Sequence, residues 1–390
     1  MKHLTLNVTI CLLVSIYLSS CERKLFNYED IKAEVKIISF EFGATGLSSG
    51  TVWPPTYYNF GDNHLVVYNP FRHGLDTIKK EKELFQLVKG IDLDSEGPEA
   101  INDFESFFST DAHEVFVLNN AVITKNEGSN FAYYNIPKMI EPLVSGPFVI
   151  GRLTDNLFGR IHHGFDSKNE LLYFFVFDGS ENNLLLCKLD LIFGSIDLIP
   201  HPIDIQELAN FQILIDDQGT YMANQRLPYI YIFEQELVLS FNYSSDVFVL
   251  TFDSDRYEKI TNRSELFPTS KSVNIHLDSD FDFMKVLKAM DAISSDVEFG
   301  SIQKFGKDGG YCRLVRGLVV NQDYSKADFF LEIFDSKFKK LKEIQLNRLA
   351  PDMSPFFISF PDGLFIKSKN QPNEEKLDYY FIPTENFIAY

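Results

Sequence analysis

Apolar residues in this chain come in short unbroken runs, not at helical spacing. Stretches of four to seven, rich in Phe, Tyr, Val and Ile, occupy residues 65–68, 115–118, 171–177, 229–233, 247–252, 329–334 and 356–360. Strict alternation would mean strands with one wet face. Continuous runs this short, bounded by turn residues, predict strands covered on both faces, since a helix of similar burial needs at least ten residues.

Many of these runs end alike. Leu-Val-Val-Tyr-Asn closes at Asn69, Phe-Ala-Tyr-Tyr-Asn at Asn135, Leu-Cys-Lys-Leu-Asp at Asp190, Val-Leu-Thr-Phe-Asp at Asp253 and Leu-Glu-Ile-Phe-Asp at Asp335. Asn and Asp suit a strand end because their side chains bond the backbone two residues on and tolerate left-handed geometry. Four of the five then lead into a further strand, at 74–79, 194–199, 257–260 and 341–346. A weaker sixth copy occupies residues 378–382. The spacing of the closing residues fits a repeated four-stranded antiparallel unit.

Six such units predict an all-β fold, a six-bladed β-propeller, in which each sheet shields its neighbours and bulky Phe fills the space between. Tandem β-sandwiches are the alternative this pattern leaves open. The segment 34–42 precedes the first unit without a hairpin partner, and the last unit ends without a fourth strand. The first is therefore expected to complete the last, so that an N-terminal strand closes the final blade. Helical spacing is confined to residues 281–293, where Phe283, Val286, Leu287 and Met290 share a face, and to a shorter stretch at 204–211.

The N-terminus changes the picture. An apolar stretch from Leu4 to Leu18 ends in Leu-Ser-Ser-Cys, with Cys21 followed by Glu22, Arg23 and Lys24. The stretch is too short to span a bilayer. It reads as a lipoprotein signal over residues 1–20, with Cys21 the lipidated first residue, residues 21–33 a tether and residues 34–390 the propeller. An ordinary secretory signal or an uncleaved anchor is the alternative. The implied address is the cell envelope, with the outer membrane the expected site and its face open.

The formal net charge is −19, and loss of residues 1–20 removes only Lys2, giving −20. Nucleic acid is disfavoured as a partner, because phosphate binding needs clustered Lys and Arg. The lipid is then the link to the membrane, and an unknown protein or small molecule the remaining partner. Cys187 and Cys312 survive in strand-like runs; they read as buried free thiols, with a disulfide the other option.

Several stretches, in order, resemble a Bacteroidetes lipoprotein family of unknown function with a TolB-like six-bladed propeller. They are the lipobox, residues 91–98 (Ile-Asp-Leu-Asp-Ser-Glu-Gly-Pro), residues 228–252, residues 310–316 (Gly-Tyr-Cys-Arg-Leu-Val-Arg), and the segments around 329–344 and 360–366. Residues 99–100 depart from that pattern, reading Glu-Ala in place of Asn-Gly. The resemblance implies fold, lipid anchor and phylum, and no activity.

Candidate binding residues are few. Tyr311 and Arg313, two apart on a strand, point to one face, and an Arg fork there suits a carboxylate or sugar if the strand lines the axial channel. The competing expectation is an arginine satisfied between blades. Arg160 and His162, with His163 beside them, open the third unit; adjacent histidines on a strand face opposite ways and cannot share one metal. Asp278, Asp280 and Asp282 imitate a calcium loop, but Phe283 and Ala289 stand where Gly and a bidentate Glu are needed. Asp92, Asp94 and Glu96 form a second acidic group. No metal or cofactor is expected.

His-Glu-x-x-His, Walker and Gly-x-Gly-x-x-Gly motifs are all missing from the sequence. No residue is nominated as catalytic. The expectation is a lipid-anchored binding or interaction module, with an enzyme acting on glycans or peptides at the channel mouth as the runner-up. A structural subunit of an envelope complex is the third reading.

Overall fold

Four-stranded antiparallel meanders dominate the computed structural model. It describes residues 35–41, 57–59, 64–69, 73–81, 84–93, 104–109, 115–119, 122–127, 130–150, 154–155, 160–161, 163–179, 181, 183–209, 214–217, 220–223, 227–233, 235–252, 256–272, 283–307, 309–320, 323, 326–372 and 376–388. Sheet 1 comprises Tyr57–Asn59, His64–Asn69, Gly74–Glu81 and Leu84–Asp92; sheet 2 comprises Phe104–Ser109, Val115–Asn119, Val122–Glu127 and Asn130–Asn135. In sheet 3, Phe148–Ile150 and His163–Asp166 both pair with Leu171–Asp178, followed by Asn183–Asp190 and Ser195–Ile199. Sheet 4 is Tyr229–Phe233, Glu236–Ser240, Val247–Thr251 and Tyr257–Ile260. Sheet 5 is Glu298–Phe305, Gly310–Arg316, Phe329–Phe334 and Lys340–Gln345.

Sheet 6 takes three strands from the C-terminal end of the chain and one from near its beginning. Met353–Phe360, Gly363–Ser368 and Lys376–Pro383 form a meander, and Lys36–Glu41 pairs antiparallel with the last of them, Lys36 opposite Phe381 and Glu41 opposite Lys376. Ser39 Oγ donates to Asp378 Oδ1 at 2.5 Å across this seam.

The unbroken apolar runs are explained by burial on both faces. Every residue of Phe329–Phe334 is buried, as are six of the seven in Gly310–Arg316. From sheet 2 through sheet 6, consecutive sheets share cores. Phe108, Phe116 and Ile123 of sheet 2 meet Leu172 and Phe174 of sheet 3. Phe175 and Leu186 of sheet 3 meet Ile230 and Leu237 of sheet 4. Phe233 and Val238 then meet Ile302 and Phe334 of sheet 5, and Cys312 and Leu331 meet Leu364 and Ile366 of sheet 6. Sheet 6 in turn packs Ile358, Phe360 and Phe365 against Ile78 of sheet 1.

A second device links neighbours at their outer edges. Asn262, just past the fourth strand of sheet 4, donates from Nδ2 to Phe338 O at 3.0 Å and accepts at Oδ1 from Lys340 N at 2.9 Å, both at the third-to-fourth turn of sheet 5. Tyr134 Oη, in the fourth strand of sheet 2, donates to Leu191 O at the equivalent turn of sheet 3.

The strand-closing Asn and Asp residues do not occupy one position of a repeat. Asp190 and Asp335 lie between third and fourth strands, where each Oδ1 accepts two backbone N–H bonds. Asn69 lies between second and third strands and donates to Asp76 Oδ2 at 2.8 Å. Asn135 ends a fourth strand and caps the helix Ile136–Ile140 through Lys138 N. These side chains favour any tight turn, so the shared ending marks turns rather than phase. Asp253 lies outside the described residues. The two expected helices are Phe283–Ser295 and Ile205–Ala209.

Candidate functional site

Tyr311 and Arg313 lie on the second strand of sheet 5. They share a face, as their spacing requires, and it is packed against sheet 4. Tyr311 stacks on Phe338 with ring centres 4.3 Å apart and meets Phe233 at 4.6 Å. Arg313 is wholly buried. Its Nε and Nη2 donate to Glu332 Oε2 at 2.8 and 2.5 Å, and Nη2 reaches Ser245 O at 3.3 Å. The guanidinium carbon lies 4.8 Å from the ring centre of Phe299 and 5.4 Å from that of Phe334.

Glu332 was not nominated from sequence, although a signal existed. A carboxylate inside the otherwise apolar run Phe-Phe-Leu-Glu-Ile-Phe must have a buried partner. Register supplies it, since Arg313 stands directly opposite Glu332. Lys340 Nζ adds a bond to Glu332 Oε1 at 3.2 Å and also contacts Glu343. A neighbouring group completes the polar seam. Arg316 bonds Glu298 Oε2 at 2.8 Å and Ser294 O at 2.6 Å, and buried Lys271 donates to Ile293 O at 2.9 Å. Asp296 accepts from Ser272 N and Val297 N, both at 2.7 Å. Chemically this arrangement neutralises buried charge and fastens the segment between sheets 4 and 5. Arg313 gives Nε and Nη2 to Glu332, forming a fully buried charge pair.

The first strand of sheet 5 carries a bulge between Phe299 and Ile302. Two tyrosines of sheet 4 satisfy the groups it frees: Tyr229 Oη donates to Phe299 O at 3.3 Å, and Ile302 N donates to Tyr231 Oη at 2.9 Å. Both hydroxyls are thus structural.

Arg160 pairs with Asp155 in a two-stranded excursion from sheet 3, and the strand Arg160–Ile161 abuts the first strands of sheets 4 and 5. His162 lies outside the described residues. His163 is buried, with its ring 5.7 Å from Phe108. Asp92 is an exposed strand end, while Asp94, Glu96, Asp278, Asp280 and Asp282 lie outside the described residues. Among the described residues no three His, Cys, Asp or Glu side chains are placed to hold a metal. Cys187 and Cys312 are free and buried, in different sheets. Burial pushes the Cys187 thiol up to about 12 and raises that of Cys312, so neither is poised as a nucleophile.

These features define an all-β protein of serial antiparallel sheets with internally neutralised polar seams. The chain belongs to the family described as a domain of unknown function, DUF4221, whose profile matches residues 58–345. A crystal structure of a DUF4221 member from Bacteroides vulgatus is similar in fold, with a TM-score of 0.58 and 15% identity over 89% of this chain and 96% of that one. A putative exported protein from Bacteroides fragilis matches with a TM-score of 0.42 and 11% identity, over 90% of this chain and 96% of that one. No curated protein matches the chain.

Proposed function

We propose that the protein is a lipid-anchored, six-bladed β-propeller held outside the cytoplasm, where it acts as a binding or interaction module. One observation carries the ring: sheet 6 is completed by Lys36–Glu41 and shares its core with sheet 5 on one side and sheet 1 on the other. A serial array whose last member packs on its first has no free end. Such a scaffold is rigid and presents its connections as a recognition surface.

Long connections support that role. Residues 200–228 carry the helix Ile205–Ala209 and the hairpin Leu214–Asp217/Thr220–Ala223, and residues 261–297 carry the helix Phe283–Ser295. The Leu-Ser-Ser-Cys motif supports the anchor, at the cell envelope and on the outer membrane. Among the described residues no helix is long and apolar enough to cross a membrane.

Fractionation and co-purification test the reading together. Acylated protein isolated from its native envelope is expected to sediment with membranes and bring down a stoichiometric ligand or partner. Cys21→Ser is expected to release it into the soluble fraction. Membrane retention of that variant overturns the anchor, and turnover of a glycan or peptide panel overturns the non-catalytic role.

A further inference from the structure

Turn tips are normally polar, and the third-to-fourth turn of sheet 3 is not. It reads Asp190-Leu-Ile-Phe-Gly194, with Ile192 61% and Phe193 81% exposed. The turn is rigidly built. Asp190 Oδ1 accepts from Ile192 N at 2.8 Å and Phe193 N at 2.9 Å, and Gly194 N donates to Asp190 O at 2.9 Å. Gly194 adopts φ +63°, which favours glycine. Buried Leu191 donates its N–H to Glu170 O at 3.0 Å and accepts from Tyr134 Oη. Two large apolar side chains are therefore mounted outward. Consecutive exposed side chains of this size mark a contact surface more than a chance exposure.

The expected tether joins the fold at the matching position of the repeat. Lys36 begins the fourth strand of sheet 6, and Ser195 begins the fourth strand of sheet 3. These are equivalent positions of the repeat, so in a ring they lie at one level along its axis. The chain between Cys21 and Lys36 reaches at most roughly 50 Å when fully extended. A bilayer holding the acyl group is thus within range of the side of the ring that carries the 192–193 tip. With a net charge of −20 after loss of residues 1–20, attraction to anionic headgroups does not supply the contact.

We propose that Ile192 and Phe193 insert into the bilayer interface, turning the third-to-fourth turns toward the membrane and the second-to-third turns away from it. This rests on the lipid-anchored ring proposed above. Val320, 71% exposed in the second-to-third connection of sheet 5, provides the opposite reference point.

The test uses tryptophan fluorescence with the native Trp53 background subtracted. Full-length Phe193→Trp and Val320→Trp proteins, purified in acylated form, are reconstituted in phosphatidylcholine vesicles containing doxyl-labelled phosphatidylcholine. F193W is expected to shift to the blue and lose at least half its emission, while V320W is unchanged. No quenching of F193W on vesicle-bound protein, or equal quenching of both variants, overturns the proposal. Protection of F193W only on adding a protein partner also overturns it. A Cys21→Ser form held by an N-terminal histidine tag on nickel-chelating lipid repeats the measurement without acylation. Quenching there supports the tip even if the natural anchor fails, and its absence there counts against the tip alone.

Discussion

The Lys80 ammonium, buried in the third strand of sheet 1, lies 2.5 Å from Asp362 Oδ2 in the first turn of sheet 6. It also sits 5.5 Å and 5.3 Å from the ring centres of Phe360 and Phe365. This pair joins sheets from opposite ends of the sequence. Asp362→Ala leaves a buried ammonium without its carboxylate and is expected to lower stability by about 1–3 kcal/mol. Lys80→Met, which fits the aromatic surroundings, is expected to cost less. Urea denaturation of both variants decides; equal losses would show that the charge pair has no special part.

Deletion through Ser39 removes most of Lys36–Glu41, including the Ser39–Asp378 contact, and exposes the edge of Lys376–Pro383. The melting temperature is expected to fall far more than after trimming residues 389–390. Equal melting temperatures for the two truncations would refute the clasp.

Glu332→Ala is expected to destabilise by about 3–5 kcal/mol, because Arg313 then remains buried without a counter-charge. A combined Arg313→Met/Glu332→Met replacement should recover much of that loss, since both partners become apolar together. Chemical denaturation of the single and double variants measures the difference. A double variant no better than Glu332→Ala would contradict this account.

His201 is held as one neutral tautomer. Nε2 contacts Leu184 O at 2.6 Å, so it carries the proton, and Nδ1 accepts from Ile203 N at 3.3 Å. Burial lowers its pKa from the ordinary value of 6.5. The neutral ring therefore contributes stability that is fully present above pH 6.5 and is lost as pH falls through the lower folded value. Amide exchange at Ile203 should accelerate over that window. His201→Gln should flatten the pH dependence of unfolding there, and an unchanged profile would exclude the histidine as its source.

Gly164 lets the first strands of sheets 3 and 4 approach. A Cβ there would lie 2.7 Å from Ile230 Cγ2 and 3.2 Å from Ile232 Cγ1. Gly164→Ala is expected to cost about 1–3 kcal/mol by overpacking. Adding Ile230→Ala should return part of that loss in thermal unfolding, a non-additivity that independent sites would lack.

Much of the architecture was legible because both-face burial leaves a mark. The runs at 171–177 and 329–334 are unbroken for the same reason that their strands lie between two other sheets. The clasp was legible from an unpaired strand at one end and a missing strand at the other. Repeat phase was not legible from Asn69 and Asn135, because a side chain that stabilises any turn carries no record of which turn it is. The Tyr311–Arg313 face was readable, but its neighbours were not. Two-residue spacing says which side chains go together and nothing about what they meet.

The sequence by itself determined the all-β class, the strand-forming runs, the acidic balance and the Leu-Ser-Ser-Cys motif, because each depends on residue type and near-neighbour spacing. Only the tertiary structure decided that Arg313 meets Glu332, that Lys80 reaches Asp362 and that Ile192 and Phe193 stand clear of any core. Those relations join residues 19 and 282 positions apart, or depend on what is absent around a turn. Sheet register and packing between sheets set them, and local propensity has no access to either.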